Sequence, residues 1–156
     1  MEIERKFLVK NSGYRQEAIG QERIVQGYLC RTPQRTVRVR IKGGRGFLTI
    51  KGESSKNGIS RFEWEKEIPL NDAESLLAIS EPGTIEKTRF LVSSADGVHT
   101  WEVDEFSGEN APLVVAEIEL SSEDEPFCRP SWLGEEVSSD ARYCNSSLSV
   151  KPFGKW

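Results

Sequence analysis

The chain opens with Met1-Glu2-Ile3-Glu4-Arg5-Lys6-Phe7-Leu8-Val9-Lys10, a run in which charged and apolar side chains largely alternate. Alternation with a period of two predicts a β-strand, because successive side chains of a strand point to opposite faces of its sheet. One face then carries Glu2, Glu4 and Lys6, and the other carries Ile3, Phe7 and Val9. For a single strand, this pattern is typical of an ordinary half-exposed sheet whose charges face water.

The same alternation recurs along the chain with charges of both signs. It is sharpest at residues 36–42, after which a Gly43-Gly44-Arg45-Gly46 loop predicts a hairpin. Eight strands are predicted, at residues 1–10, 22–30, 36–42, 47–51, 61–68, 85–92, 98–106 and 113–120. Helices are predicted at 14–19, from the N-cap Asn71 through Ile79, around 132–133 and at 139–148.

Length and composition limit the class of protein. With 156 residues, 37% of them hydrophobic, the chain predicts one globular domain over 1–156. A net charge of −4 argues against a nucleic-acid or anionic-membrane binder, and no apolar run approaches a membrane span or a signal peptide. Cys30, Cys128 and Cys144 lack metal-site spacing, so we expect reduced thiols and a cytoplasmic protein. The single histidine, His99, is expected to be structural.

Charged side chains of both signs collect on one face of the predicted strands. They are Glu2, Glu4, Glu63, Glu65, Glu67, Glu102, Asp104, Glu117 and Glu119, with Lys6, Arg38, Arg40, Lys42, Lys51, Arg61, Lys87 and Arg89. If the strands close into an antiparallel barrel with helices outside, this face lines the interior. Such an interior must hold water or ions, because unpaired charges are costly to bury.

The spacing of these charges indicates the kind of ligand. Carboxylates occur in pairs two residues apart, and so do the bases, so each pair shares one strand face. Carboxylate oxygens suit a hard divalent cation such as Mg²⁺ or Mn²⁺, whereas guanidinium and ammonium groups suit phosphate oxygens. The pattern predicts a site for a metal complex of a polyphosphate. The alternative is a set of salt bridges with no ligand.

The ordered set of motifs resembles the CYTH, or triphosphate tunnel metalloenzyme, superfamily, and within it the small bacterial inorganic triphosphatases. The chain begins with a run similar to the family's ExExK signature, and Asp140-Ala141-Arg142-Tyr143-Cys144-Asn145 resembles its D-x-R-Y-x-N helix. Between them lie, in order, Arg38 with Arg40, Lys51, Glu63 with Glu65, Lys87 with Arg89, Glu102 with Asp104, and Glu117 with Glu119. The fold implied is a mainly β, α+β protein with an eight-stranded antiparallel closed tunnel and a charged lumen.

The resemblance also implies roles for individual residues. Substrate phosphates would be bound by Lys6, Arg38, Arg40, Lys51, Lys87, Arg89 and Arg142. The metal, Mg²⁺ or Mn²⁺, would be held by Glu2, Glu4, Asp104, Glu117 and Glu119. Catalytic roles would fall to Lys87, Glu63 and Glu65, with Lys87 acting on the attacking water. Lys42, Arg61 and Glu67 are expected at the rim, and Tyr143 and Asn145 are expected to pack the terminal helix at the tunnel mouth.

The function implied is metal-dependent hydrolysis of inorganic tripolyphosphate to pyrophosphate and phosphate. Class IV adenylyl cyclases and thiamine or nucleoside triphosphatases use the same type of site, so these activities remain alternatives. A non-catalytic polyphosphate-binding module is a third. We expect a small-molecule polyphosphate as the partner, no nucleic acid, no membrane, and a monomer or homodimer.

Overall fold

The computed structural model describes residues 1–156 and is built mainly of strands. The strands are β1 (Glu2–Val9), β2 (Ala18–Thr32), β3 (Arg35–Lys42), β4 (Arg45–Gly52), β5 (Ser60–Arg61), β6 (Glu63–Ile68), β7 (Ile85–Ser93), β8 (Thr100–Phe106), β9 (Val114–Glu119) and β10 (Leu133–Glu136). The helices are α1 (Tyr14–Glu17), α2 (Leu70–Ala78) and α3 (Asn145–Val150), with short 3-10 turns at Gly108–Asn110, Ala141–Tyr143 and Phe153–Lys155. The predicted mainly β, α+β class is confirmed.

All strand pairs are antiparallel, in the order β10-β1-β9-β8-β7-β2-β3-β4-β6. The two-residue strand β5 pairs with β1 and lies off this path. Only Phe62 separates β5 from β6. The segment 60–68 therefore pairs with β1 through β5 and with β4 through β6. The hydrogen-bonded ladder is interrupted there, and the sheet is described by an open path rather than by a continuous barrel.

Two local predictions are wrong. A helix was expected around residues 132–133, but this segment enters β10, where Phe7 pairs with Glu136 and Val9 with Leu133. The free edge of β1 offers backbone partners there, and such pairing outweighs a weak local pattern. The other is the start of α2, which begins at Leu70 with Pro69 as its N-cap rather than at the predicted cap Asn71.

Helix α2 covers one part of the outer face of the sheet because two glycines leave room for it. A Cβ on Gly46 would lie 2.6 Å from the Cβ of Ala73, and one on Gly27 would lie 2.5 Å from Ser80 Oγ. Ala73 is fully buried in this contact. Gly27 therefore serves close packing, and a register shift follows it between Tyr28 and Cys30.

Two apolar clusters lie on opposite faces of the sheet. The outer cluster contains Phe7, Tyr14, Phe90, Val92, Trp101, Val103, Ala116, Ile118, Leu120, Trp132 and Leu133. The other contains Ile85, Phe106, Leu113, Val115, Val137, Tyr143 and Leu148. Ile85 lies two residues before Lys87 on β7, so this second cluster shares the face that carries the predicted charged site. We call that face the inner face.

Two further observations concern the cysteines and the length of the helices. Cys30, Cys128 and Cys144 are all free. No helix of the structure combines the length and the apolar character needed to cross a membrane.

Candidate active site

A cavity of about 330 Å³ opens on the inner face of the sheet, and charged side chains dominate its lining. Nine of the lining residues are basic, namely Lys6, Arg38, Arg40, Lys42, Lys51, Lys56, Arg61, Lys87 and Arg89. Seven are acidic, namely Glu2, Glu4, Glu63, Glu65, Glu102, Glu117 and Glu119. The cavity is therefore a local excess of positive charge within a chain of net charge −4.

The sheet order separates the two signs into walls. Carboxylates come from β1, β9 and β8, which are consecutive in the sheet, and also from β6. Most of the bases come from β7, β3 and β4, and these strands flank β2 in the sheet. A ligand in this cavity thus meets a basic wall on one side and an acidic wall on the other.

The two arginines of β3 form the centre of the basic wall. Arg38 and Arg40 are 9% and 7% exposed, and their Nη2 atoms lie 3.7 Å and 3.5 Å from Glu65 Oε2. Thr49 Oγ1 accepts from Arg38 Nη2 at 3.2 Å and donates to Glu65 at 2.6 Å. Burial and then the neighbouring Arg38 and Arg89 charges lower the pKa of Arg40 to about 10. The Nε atoms of Arg38 and Arg40 have no partner, so Glu65 leaves some of the guanidinium donors without an acceptor.

Two lysines face the acidic wall. Lys51 Nζ lies 3.0 Å from Glu2 Oε1 and 3.4 Å from Glu63 Oε2. Lys6 Nζ donates to the Tyr143 carbonyl at 3.3 Å. Burial alone would lower the pKa of Lys6, but the surrounding groups Glu117, Cys144 and Glu4 together outweigh it and raise the pKa above its ordinary value. Lys6 therefore stays charged.

Asp104 lies behind the basic wall rather than in the cavity lining. It is 1% exposed, and it accepts from Arg89 Nε at 2.8 Å, from Arg89 Nη2 at 3.0 Å and from Lys87 Nζ at 2.8 Å. Burial would raise the pKa of Asp104, but Arg89 and Lys87 hold it well below its usual range. Both oxygens of this expected metal ligand are thus used to anchor two bases.

Lys87 and Arg89 are held by this anchor at the edge of the cavity. Burial lowers the pKa of Lys87 to about 8, against the opposing effect of Asp104. Arg89 Nη1 also donates to Glu102 Oε2 at 3.0 Å. Glu102 lines the cavity although it was not among the expected ligands.

The acidic wall is crowded with like charges. Strand pairing places Glu4 opposite Glu119 and Lys6 opposite Glu117. Burial and the Glu117 charge raise the pKa of Glu4 well above its ordinary value. Burial would raise the pKa of Glu117 as well, but Lys6, the hydrogen bond with Glu4 and Lys87 together lower it to about 2. Glu4 and Glu117 lie within hydrogen-bonding reach of each other, so a proton or another cation is favoured between them.

The donor set of this wall fits a divalent metal ion. No three acidic side chains converge closely enough to hold an ion by themselves. Mg²⁺ is nevertheless commonly bound by one or two carboxylates together with water and substrate phosphates. The close pair of Glu4 and Glu117 supplies such carboxylates, and Glu2 and Glu119 flank it in the same lining.

Some expected residues lie outside the cavity. Arg142 points away from it, with 62% of its side chain exposed, and pairs with Asp140 at 2.7 Å while its guanidinium lies 4.5 Å from the Trp156 ring. Glu67 pairs with the exposed Arg45 at 2.5 Å. The remaining expected substrate-binding residues, and all the expected metal ligands except Asp104, line the cavity together.

Some residues that line the cavity were not predicted to bind a ligand or to take part in catalysis. Asn145 was expected only to pack a helix, yet its Oδ1 accepts from Lys87 Nζ at 2.8 Å. Its position at the end of the D-x-R-Y-x-N motif was the available signal.

Ser138 and Ser139 meet the loop 53–59 at the cavity entrance, where a Cβ on Gly58 would lie 2.1 Å from the Ser138 carbonyl oxygen.

Comparison with known proteins identifies relatives of this chain by sequence and by structure. Residues 1–150 match the family described as the CYTH domain. The chain is 45% identical over 153 residues to an inorganic triphosphatase of Acetivibrio thermocellus, covering 97% of this chain and 95% of that protein. It is 38% identical over 153 residues to an inorganic triphosphatase of Nitrosomonas europaea, covering 96% and 97%. The crystal structure of the inorganic triphosphatase NE1496 matches with a TM-score of 0.69 and 36% identity, covering 96% of this chain and 95% of that one.

Proposed function

The chain belongs to the CYTH domain family, and from that premise we propose that its cavity hydrolyses inorganic tripolyphosphate to pyrophosphate and phosphate with a divalent metal ion. The observation that carries the proposal is the arrangement of the cavity. A basic wall with unpartnered guanidinium N–H groups faces an acidic wall in which carboxylates crowd together. In a metal polyphosphate, the phosphate oxygens can pair with the basic wall and the cation can pair with the acidic wall.

The reaction transfers a terminal phosphoryl group to water. A bond forms between the water oxygen and the terminal phosphorus, the bridging P–O bond breaks, and its electron pair leaves with pyrophosphate. Most stabilisation of such a reaction comes from positioning and from neutralising the charge on the transferred group and the leaving group. A bound Mg²⁺ or Mn²⁺ supplies part of that neutralisation.

The chain's own residues would do the rest. Arg38, Arg40 and Lys51 hold the phosphates against the basic wall, and Lys87 contacts the reacting phosphoryl group or its water. Glu65 fixes the two arginines from the opposite side, so we propose a positioning role for it. Glu63 lies beside Lys51 in the same way.

The ligand set would comprise Glu2, Glu4, Glu117 and Glu119, with Asp104 as an anchor of the bases. The proposal also includes a tunnel that closes around the substrate. Support comes from β5 and β6, which join β1 and β4 through one short segment, and from the Gly58 contact with Ser138 above the cavity.

The lining argues for an inorganic substrate over a nucleotide. Only four of its 28 residues are apolar, and Tyr28 is its one aromatic side chain. A nucleobase needs an apolar or aromatic surface to stack against. This cavity offers bases for phosphate and carboxylates for a metal ion, and almost no apolar surface.

The test is a phosphate-release assay with tripolyphosphate, ATP and thiamine triphosphate, each with Mg²⁺, Mn²⁺ or EDTA. We expect tripolyphosphate with a metal to give the fastest release and EDTA to abolish it. A parallel assay for cyclic AMP distinguishes the cyclase alternative, and cyclic AMP as the main product from ATP would overturn the hydrolase proposal. Tight binding of tripolyphosphate without turnover in either metal would identify a binding module instead.

A further inference from the structure

Asn145 is the first residue of α3 and lines the cavity beside Lys87. Its Oδ1 accepts a hydrogen bond from Lys87 Nζ at 2.8 Å and another from Gln26 Nε2 at 3.3 Å. We propose that Asn145 is a positioning residue that fixes the direction in which Lys87 presents its ammonium group to the substrate. The inference rests on the function proposed above and adds a residue to its machinery.

Lys87 needs such a partner because its side chain is long and flexible. An ammonium group has three N–H donors. Asp104 Oδ2 takes one of them and Asn145 Oδ1 takes another, both at 2.8 Å. The third donor has no acceptor in the protein, and Lys87, although only 2% exposed, lines the cavity. With two donors fixed, the third is the one left for an anion in the cavity.

The orientation of the Asn145 amide follows from its partners. The Lys87 ammonium group can only donate, so the Asn145 atom that lies 2.8 Å from it must be the amide oxygen. Gln26 is fully buried and also donates from Nε2 to Tyr28 Oη at 3.2 Å, which holds it in place.

The elements that carry Asn145 and Lys87 are packed directly against each other. Leu148 lies one turn after Asn145 on α3, is fully buried, and belongs to the same apolar cluster as Ile85. Ile85 is two residues before Lys87 on β7, on the same inner face. A six-residue helix is not stable alone, so this packing fixes its position. The hydrogen bond therefore joins two side chains whose backbones have a set separation.

The uncharged amide suits this role. Asp104 already sets one negative charge against Lys87 and Arg89. A second carboxylate in contact with Lys87 would cancel the positive charge that a phosphate needs. An amide oxygen orients the ammonium group and leaves its charge available.

The experiment is a double-mutant cycle of Asn145→Ala and Lys87→Ala. The Kd of metal-free tripolyphosphate is measured by calorimetry for the native protein, both single variants and the double variant, and kcat is measured in parallel. We expect Asn145→Ala to weaken binding about tenfold, the size of one hydrogen bond to a charged group. In the Lys87→Ala background the same change should weaken it less than twofold, because Asn145 acts through Lys87.

Ser147→Ala is the matched control. Ser147 lies on the same helix, its side chain makes no hydrogen bond, and it does not line the cavity. Its Kd should equal the native value, and thermal melts show whether each variant is folded. An equal loss of affinity in both backgrounds, or no loss from Asn145→Ala alone, would overturn the inference. Because the cycle is read in binding, it decides the matter even if the native protein fails to hydrolyse tripolyphosphate, a result that overturns only the proposed function.

Discussion

The inner face of the sheet has a charged end and an apolar end, and single strands cross from one to the other. On each of four strands, a charged inner-face residue lies two positions away from an apolar one. The pairs are Lys87 and Ile85, Asp104 and Phe106, Glu117 and Val115, and Lys6 and Leu8. We call the cavity lining with Asp104 the charged end, and the cluster around Ile85 and Leu148 the apolar end. Helix α3 lies at their boundary.

The two ends differ in what stabilises them. The apolar end removes hydrocarbon surface from water and favours folding without any ligand. The charged end contains buried arginine N–H groups without partners and a close pair of carboxylates, so it is most stable when a ligand supplies the missing charges. The apolar end also lowers the polarity around Lys87, which is one reason why burial depresses its pKa.

The largest effect on stability is expected from Asp104→Ala. The substitution removes the carboxylate that pairs with Arg89 and Lys87, while both bases remain buried. Breaking a buried ion pair in this way lowers the free energy of unfolding by about 3–5 kcal/mol. Urea denaturation measures the loss. Glu86→Ala is the control, because Glu86 pairs with Arg23 at 3.1 Å on the surface and such pairs contribute about 0–1 kcal/mol. Equal losses from the two variants would mean that Asp104 is not an anchor.

The apolar end is tested by Leu148→Ala. Leu148 is fully buried, so its truncation should cost about 3 kcal/mol through lost burial and a cavity. The measurement is again urea denaturation. Val150→Ala on the same helix is the matched control, since Val150 is 66% exposed and its truncation should change stability by less than about 0.5 kcal/mol. If Leu148→Ala were equally mild, α3 would not be packed against the inner face.

Within the charged end, Arg40→Ala should lower kcat/KM for tripolyphosphate about 100-fold at saturating metal, because the variant loses a guanidinium group that we propose to hold the substrate phosphates. Arg45→Ala provides the comparison. Arg45 follows on the next strand but has 65% of its side chain exposed and pairs with Glu67 outside the cavity. Its removal should change the rate less than threefold. Similar losses from both variants would show that the cavity has no special role in binding substrate.

The smallest effect is expected at His99, which lies in neither end. Its Nδ1 lies 2.7 Å from Asp96 Oδ2 and its Nε2 contacts Glu125 Oε2, which joins the turn after β7 to the segment after β9. Hydrogen bonds to Asp96 and Glu125 raise the pKa of His99. A raised folded pKa means that this stabilisation is complete below the unfolded value of about 6.5 and is lost as pH rises through the folded pKa.

His99→Gln should therefore destabilise the protein most near pH 6 and least near pH 9. The hydrogen bond to His99 also lowers the pKa of Asp96, and the Ser121 backbone N–H together with His99 lowers that of Glu125. The contribution of His99 therefore also declines in acid, as these carboxylates become protonated. Unfolding midpoints of both proteins from pH 4 to 9 measure the difference. A difference that does not change with pH would show that His99 is not charged between these carboxylates.

Much of the fold could be predicted because strand alternation is a local property. Each of the eight expected strands is present in the sheet, and alternation placed Arg38 and Arg40 on the inner face as predicted. Strand β10 could not be predicted from its own residues, because it exists through pairing with the edge of β1. The change from charged to apolar along the inner face was also missed, since it depends on α3 arriving from the C-terminus.

Residue types in the site were easier to predict than their partners. Asp104 shares strand parity with Glu102, but only the three-dimensional arrangement shows that Arg89 and Lys87 use both of its oxygens. Arg142 belongs to a recognisable motif, yet its side chain turns to Asp140 and Trp156 outside the cavity. Periodicity gives the face of a side chain and leaves its contacts undetermined.

The most direct measurement of the central claim, that one cavity holds cation and anion together, is a thermal melt under four conditions. They are the protein alone, with Ca²⁺, with tripolyphosphate, and with both. A ligand at 100-fold excess over its Kd stabilises the native state by about 2.7 kcal/mol, equivalent to about 5–10 °C for a domain of this size. We predict a shift of that order with both ligands, clearly larger than the sum of the separate shifts. Separate shifts that simply add would contradict a shared site.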